Sequence, residues 1–232
     1  MGIINITPDS FFGDGVLGSE KSLEERFLKA RDVGIEFLDI GCMSTKPNFK
    51  NIDKLDELNR FEFFLNNINS QFKYSIDSNT IEVIDKAIDS GFSVINDVFG
   101  LQNQDILNKA IDSRCGVVLV HRHPLSENIH EKMEYKDIVS EVKVEINKQI
   151  SRLIDSGLHE SQIAIDPGLG FGKKLEDSAR LLLEIEKLAG DFPLIVGYSN
   201  KKFIDSASLP KDSLLDHCYN SGVSLVRLHL DK

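Results

Sequence analysis

Ile163-Ala164-Ile165-Asp166-Pro167-Gly168-Leu169-Gly170-Phe171-Gly172-Lys173-Lys174 is the stretch on which the fold turns. Residues 163–166 read as a short strand, buried on both faces, that ends on a carboxylate. Pro167 stops the strand, and three alternating glycines hold a tight loop. In α/β enzymes the residues just past a strand's C-terminal end carry the chemistry. A Gly-rich loop also lets a ligand come close to backbone N–H groups. The spacing is not that of an ATP-binding P-loop, because no Gly-Lys-Ser/Thr follows at the required distance. Taken alone, the segment reads equally well as a plain turn between strand and helix.

Outward from this stretch the same unit recurs. Apolar runs at residues 2–6, 35–40, 73–76, 92–95, 116–120, 194–196 and 223–226 read as seven further strands. Helical patterns separate them. Ser22-Leu23-Glu24-Glu25 reads as a capping box, with Leu23, Phe27 and Ala30 on one face behind it. Leu55, Leu58, Phe61, Leu65 and Ile68 define the next helix face, and helices are expected near 80–90, 105–112, 138–153, 177–188 and 213–220. Eight nearly continuous apolar strands alternating with helices predict an α/β fold, a closed (β/α)8 TIM barrel, as a single domain over residues 1–232. The chain stops three residues after His229, so no eighth helix is expected.

Composition narrows the function. The 232 residues carry 37 acids against 27 bases, a net charge of −10, which argues against a broad nucleic-acid surface. An anionic substrate would need a locally basic pocket or a metal ion. The three cysteines, Cys42, Cys115 and Cys218, lack zinc spacing and indicate a reducing compartment. No apolar run is long enough to span a bilayer, and the start has no signal-peptide pattern. The expectation is a cytoplasmic protein with no membrane partner.

The strand ends collect Asn5, Asp39, Asp77, Asn96, His121, Asp166, Lys201, Arg227 and His229. A structural barrel would not be expected to put polar or ionisable residues at nearly every end. Asp77, Asn96 and Asp166 supply acceptors and an amide, which suits a heterocycle rich in N–H donors, such as a 2-amino-4-oxo-pyrimidine ring. Lys201, Arg227 and His229, with Lys46 on a neighbouring loop, supply cations for an anion such as pyrophosphate. Asn5 offers an oxygen to Mg²⁺. Plainer readings stand beside these: Lys201 and Lys202 as rim lysines, His121 and His123 as loop histidines, Asp39 as an orienter of neighbouring backbone. The two phenylalanines of the first loop, Phe11 and Phe12, read either as a lid or as packing on the rim.

Several motifs, in order, resemble those of the dihydropteroate synthase family. They are Asn5-Ile6-Thr7-Pro8-Asp9-Ser10-Phe11, Asp39-Ile40-Gly41-Cys42-Met43-Ser44-Thr45-Lys46-Pro47, Ser75-Ile76-Asp77 and Ile95-Asn96-Asp97. The opening stretch from Asp166 to Lys173, Gly197-Tyr198-Ser199-Asn200-Lys201 and Arg227-Leu228-His229 complete the set. The resemblance implies a (β/α)8 barrel that joins 6-hydroxymethyl-7,8-dihydropterin pyrophosphate to p-aminobenzoate and releases pyrophosphate, with Mg²⁺. It implies that Asp77, Asn96, Asp166 and Lys201 hold the pterin, and that Arg227, His229 and Asn5 with Mg²⁺ bind pyrophosphate. Asp9 would help order metal and pyrophosphate, and Thr45, Lys46, Pro47 and Phe171 would shape the p-aminobenzoate pocket. A homodimer on the last helices is the family's habit. The family usually has Glu at Met43, Arg at Lys46 and Arg at Asn200. These departures keep open a weakly active pterin-binding paralogue. A folate- or corrinoid-linked methyltransferase and a Schiff-base aldolase using Lys201 are the other readings; the Thr7–Phe11 loop speaks against the former.

Overall fold

Short apolar runs become strands here because helices cover them. The structure is a computed structural model and describes residues 1–6, 20–43, 53–126, 131–199, 202–207, 210 and 213–230. The chain divides into two compact units, Met1–Asn96 with Leu228–Lys232, and Asp97–Arg227.

In the first unit β1 (Gly2–Asn5), α1 (Glu20–Asp32), β2 (Phe37–Gly41), α2 (Lys54–Asn66), β3 (Lys73–Asp77), α3 (Ile81–Asp89) and β4 (Val94–Asp97) alternate. The strands are parallel. Asn5 pairs with Gly41, Gly41 with Asp77, and Asp77 with Asn96. The first two residues of β1 also pair with the chain's last strand, Gly2 with Leu228 and Ile3 with His229. α1 buries Leu23, Phe27 and Ala30, as its periodicity predicts. The expected capping box does not cap it. The helix begins at Glu20, so Ser22 lies inside it and accepts from Arg26 one turn on.

α2 corrects a second expectation. Its buried residues are Glu57, Phe61 and Phe64, while Leu55 is 62% exposed. The helix is rolled so that an acid faces inward. Glu57 can be buried because it accepts hydrogen bonds from Ser78 and Thr80. Beside it Phe64 meets Tyr74 and Phe92 edge-on, at 5.5 and 6.2 Å between ring centroids. This is a favoured geometry for aromatic pairs.

The chain continues with α4 (Gln104–Ser113), β5 (Gly116–Val120), α5 (Ile138–Asp155), β6 (Ile163–Asp166), α6 (Leu175–Leu183), β7 (Ile195–Gly197), α7 (Leu214–Asn220) and β8 (Leu225–His229), of which Leu228 and His229 count with the first unit and the rest with the second. β5 and β6 are parallel, with Val120 opposite Asp166. β7 and β8 are parallel, with Gly197 opposite Arg227. Ile165 bridges to Leu194, which joins β6 to the approach of β7. α5 buries Ile138, Val139, Val142, Ile146, Ile150 and Leu153, a 3.6-residue stripe. The expected helix over 177–188 is α6 followed by a 3₁₀ turn at Ile185–Leu188. Among the described residues no helix is long and apolar enough to cross a membrane.

Candidate active site

In the first unit, register gathers the polar strand ends. Partners in a parallel ladder point to the same face, so Asn5, Gly41, Asp77 and Asn96 form one row. Gly41 is the gap in that row. A Cβ there would lie 2.9 Å from Asn5 Oδ1 and 3.8 Å from Asp77 Cβ. The missing side chain is what gives the Asn5 carboxamide its place beside Asp77.

Asn96 is 1% exposed, and its Nδ2 donates to Asp39 Oδ2 at 3.0 Å. Asp39 lies in the middle of β2, not at its end, and is fully buried. A carboxylate oxygen accepts, so the amide must turn its NH₂ toward it. That leaves Asn96 Oδ1 buried with no hydrogen-bond partner among the described residues. Asp39 thus orients a side chain, that of Asn96. It fixes Asn96 as an acceptor for a ligand N–H.

The second unit holds the other carboxylate. Asp166 Oδ1 accepts from Gly168 N at 2.7 Å. Its Oδ2 lies 3.7 Å from Arg227 Nη1, with the two side chains only 4% and 8% exposed. This is an electrostatic contact longer than a hydrogen bond. Residues that the sequence divided between a ring and an anion therefore face one another directly.

The glycine loop after β6 is held from below by Lys173. This lysine is 3% exposed, and its Nζ donates to Gly168 O at 3.0 Å, Phe171 O at 3.2 Å and His121 O at 3.4 Å. One ammonium so gathers three carbonyls from the loop and the end of β5. In the sequence Lys173 stands out only as part of the Asp166–Lys173 motif. A lysine closing a Gly-rich loop was the available signal. Phe171 is half-buried on the same loop, and His229 is half-buried at the end of β8.

His121 directly follows β5, at the start of the connection to α5, yet it lacks the satisfied hydrogen bonds expected of a loop histidine. It is fully buried, and neither ring nitrogen has a hydrogen-bond partner among the described residues. Burial, then the Lys173 and His123 charges, hold its pKa well below the usual 6.5. The folded imidazole is neutral, whereas the unfolded one takes a proton near 6.5. Its contribution to stability is whole above that pH and is lost as pH falls, at about 1.4 kcal/mol per pH unit. Urea unfolding of His121→Phe between about pH 6 and 5 should show a slope shallower by one proton than the parent. Equal slopes would contradict a neutral His121.

Asp9, Thr45, Lys46, Pro47, Asn200 and Lys201 lie outside the described residues, as do Phe11 and Phe12. Among the described residues no group of three or more His, Cys, Asp or Glu could hold a metal ion. The oxygens of Asn5 and Asp77 near Gly41 are hard donors of the kind Mg²⁺ takes. They fit an ion that arrives with a phosphate ligand and keeps its waters, not one caged by protein.

A model of pterin-binding enzymes matches residues 1–229. The dihydropteroate synthase of Escherichia coli strain K12 is 32% identical over 210 residues, 88% of this chain and 73% of the relative. That of Bacillus subtilis is 29% identical over 211 residues, 88% of this chain and 70% of the relative. A solved dihydropteroate synthase from Xanthomonas albilineans with 4-aminobenzoic acid superposes with a TM-score of 0.83 at 28% identity, over 98% of this chain and 85% of that one. The same enzyme has been solved in complex with 7,8-dihydropteroate, with a TM-score of 0.78 at 27% identity, over 98% of this chain and 86% of that one. The chain belongs to the pterin-binding enzymes and has their (β/α)8 barrel. Within them it is a member of the dihydropteroate synthase family, transferases of folate biosynthesis.

Proposed function

We propose that this chain condenses 6-hydroxymethyl-7,8-dihydropterin pyrophosphate with p-aminobenzoate, releasing pyrophosphate, and that the residues named above divide the work. The observation that carries this is Asn96, a buried amide whose Oδ1 is held as an acceptor by Asp39. A reduced pterin offers ring and amino N–H donors to such an atom. Asp77, Asn96, Asp166 and Lys201 hold the pterin. Arg227, His229 and Asn5 take the pyrophosphate, with Asp9 ordering it. Thr45, Lys46, Pro47 and Phe171 receive p-aminobenzoate.

The chemistry is positional and electrostatic. Asp166, with one oxygen fixed by Gly168 N, stabilises positive charge growing on the pterin as pyrophosphate departs. Arg227, 3.7 Å from that carboxylate, meets the departing anion. Mg²⁺, when bound, would neutralise further charge on the pyrophosphate, with Asn5 as its protein ligand. The arylamine then attacks the methylene carbon. The reading extends to a cytoplasmic enzyme; the buried free thiols Cys42, Cys115 and Cys218 support a reducing compartment.

Calorimetry with the pterin pyrophosphate and then p-aminobenzoate, paired with an assay for released pyrophosphate, tests the whole reading. Pterin binding without turnover would favour the weakly active paralogue, for which Met43, Lys46 and Asn200 are the argument. Gly41→Ala tests Asn5 separately. The new Cβ would be crowded only by the tip of the Asn5 side chain, which can swing away, while Asp77 Cβ at 3.8 Å is at ordinary contact distance. Thermal stability should hold while the Mg²⁺ concentration for half-maximal rate rises about tenfold. An unchanged Mg²⁺ dependence would remove Asn5 from the metal's surroundings.

A further inference from the structure

We infer that Glu57, on α2, is a positioning residue for pterin recognition that acts through Asp77. The inference rests on the assignment of Asp77 to the pterin. Glu57 is 1% exposed and sits on a helix, behind the row of strand ends. Its Oε1 accepts from Ser78 Oγ at 2.7 Å and its Oε2 from Thr80 Oγ1 at 2.5 Å. Ser78 Oγ in turn accepts from Thr80 N at 3.1 Å. Ser78 is the residue directly after Asp77. Both carboxylate oxygens therefore hold the chain as it leaves β3.

Burying an acid is costly, and an apolar residue of similar size would pack this position at least as well. What the acid adds is direction. Two hydroxyls must meet two fixed oxygens, so the backbone after Asp77 has one allowed path. From the same helix, one turn on, Arg60 Nη1 donates to Cys42 O at 3.1 Å. Cys42 directly follows Gly41, the neighbour of Asp77 in the row. α2 thus grips the ends of two adjacent strands by polar contacts and sets the relation of Asp77 to the gap at Gly41 where Asn5 lies.

A double-mutant cycle on the full chain tests this. Glu57→Gln keeps the volume but turns one acceptor into a donor. It should weaken binding of the pterin pyrophosphate about tenfold by calorimetry, while the KM for p-aminobenzoate at saturating pterin changes less than about twofold. In an Asp77→Asn background the same substitution should add almost nothing. A loss that persists in that background, or that falls equally on both substrates, would overturn the inference and make Glu57 merely structural. Should Glu57→Gln fold poorly, Thr80→Val removes one hydroxyl at constant shape and should give a smaller loss with the same dependence on Asp77. If Asp77→Asn alone binds pterin normally, the assignment of Asp77 falls and takes the inference with it. If Asp77→Asn binds weakly but Glu57→Gln is additive with it, only the inference fails.

Discussion

Asp166→Ala is expected to abolish pterin binding. The carboxylate is 3% exposed and fixed by Gly168 N, so it meets a ligand already oriented and desolvated. Hydrogen bonds to a charged group contribute about 1.5–3 kcal/mol each, so losing two ligand contacts lowers affinity by more than about a hundredfold. Stability falls as well. The buried Arg227 guanidinium loses the carboxylate that faces it, a change that costs at most about 3–5 kcal/mol. Asp166→Asn separates the two effects. Its amide oxygen still accepts from Gly168 N and fills the same space, yet the charge is gone. Calorimetry should show most of the affinity lost in this variant as well, while its urea midpoint moves less than that of Asp166→Ala. Pterin affinity within a few-fold of the parent would mean that Asp166 does not touch the ring.

Gly168→Ala is expected to be strongly destabilising. Gly168 has φ +65°, and a Cβ there would fall 2.1 Å from His121 O. That oxygen is backbone and cannot rotate away. The chain just before it is anchored, because His121 N, in the preceding peptide, donates to Asp166 O at 2.8 Å. Left-handed backbone costs about 1–2 kcal/mol for a residue with a Cβ, and overpacking about 1–3 kcal/mol more. A total loss of about 2–5 kcal/mol in urea unfolding follows, with reduced pterin binding as the loop is pushed off Lys173. A variant as stable as the parent would show that the loop has room to move. Gly41→Ala is the contrast: one glycine faces a side-chain tip, the other a fixed carbonyl.

The strands were legible in the sequence because each is a short apolar run bounded by a turn residue. The polar ends followed from the strands. Asp77, Asn96 and Asp166 all fall on the last or next-to-last residue of theirs. Three features were not legible. Glu57 was overlooked because hydrophobic periodicity has no means of seeing a buried acid. Its two hydroxyl partners lie 21 and 23 residues further along. The sequence leaves Asp39 open between a site residue and an orienter of backbone, because its partner Asn96 is 57 residues away. Lys173 stands in the sequence only as the end of the Asp166–Lys173 motif, and nothing local shows that three carbonyls hold it inside. In each case a partner outside the local pattern decides that the polar group is buried.

The row Asn5–Gly41–Asp77–Asn96 also limits how such a chain can change length. All four positions share the parity of the pleat, and a strand's side chains reverse with every added residue. One extra residue between Lys73 and Ile76 would turn Asp77 toward the helices without altering any amino acid that matters. The same insertion in the connection between a helix and the next strand would leave the row untouched. The row therefore tolerates added length in the connections and not within the paired strands, unless a bulge absorbs it.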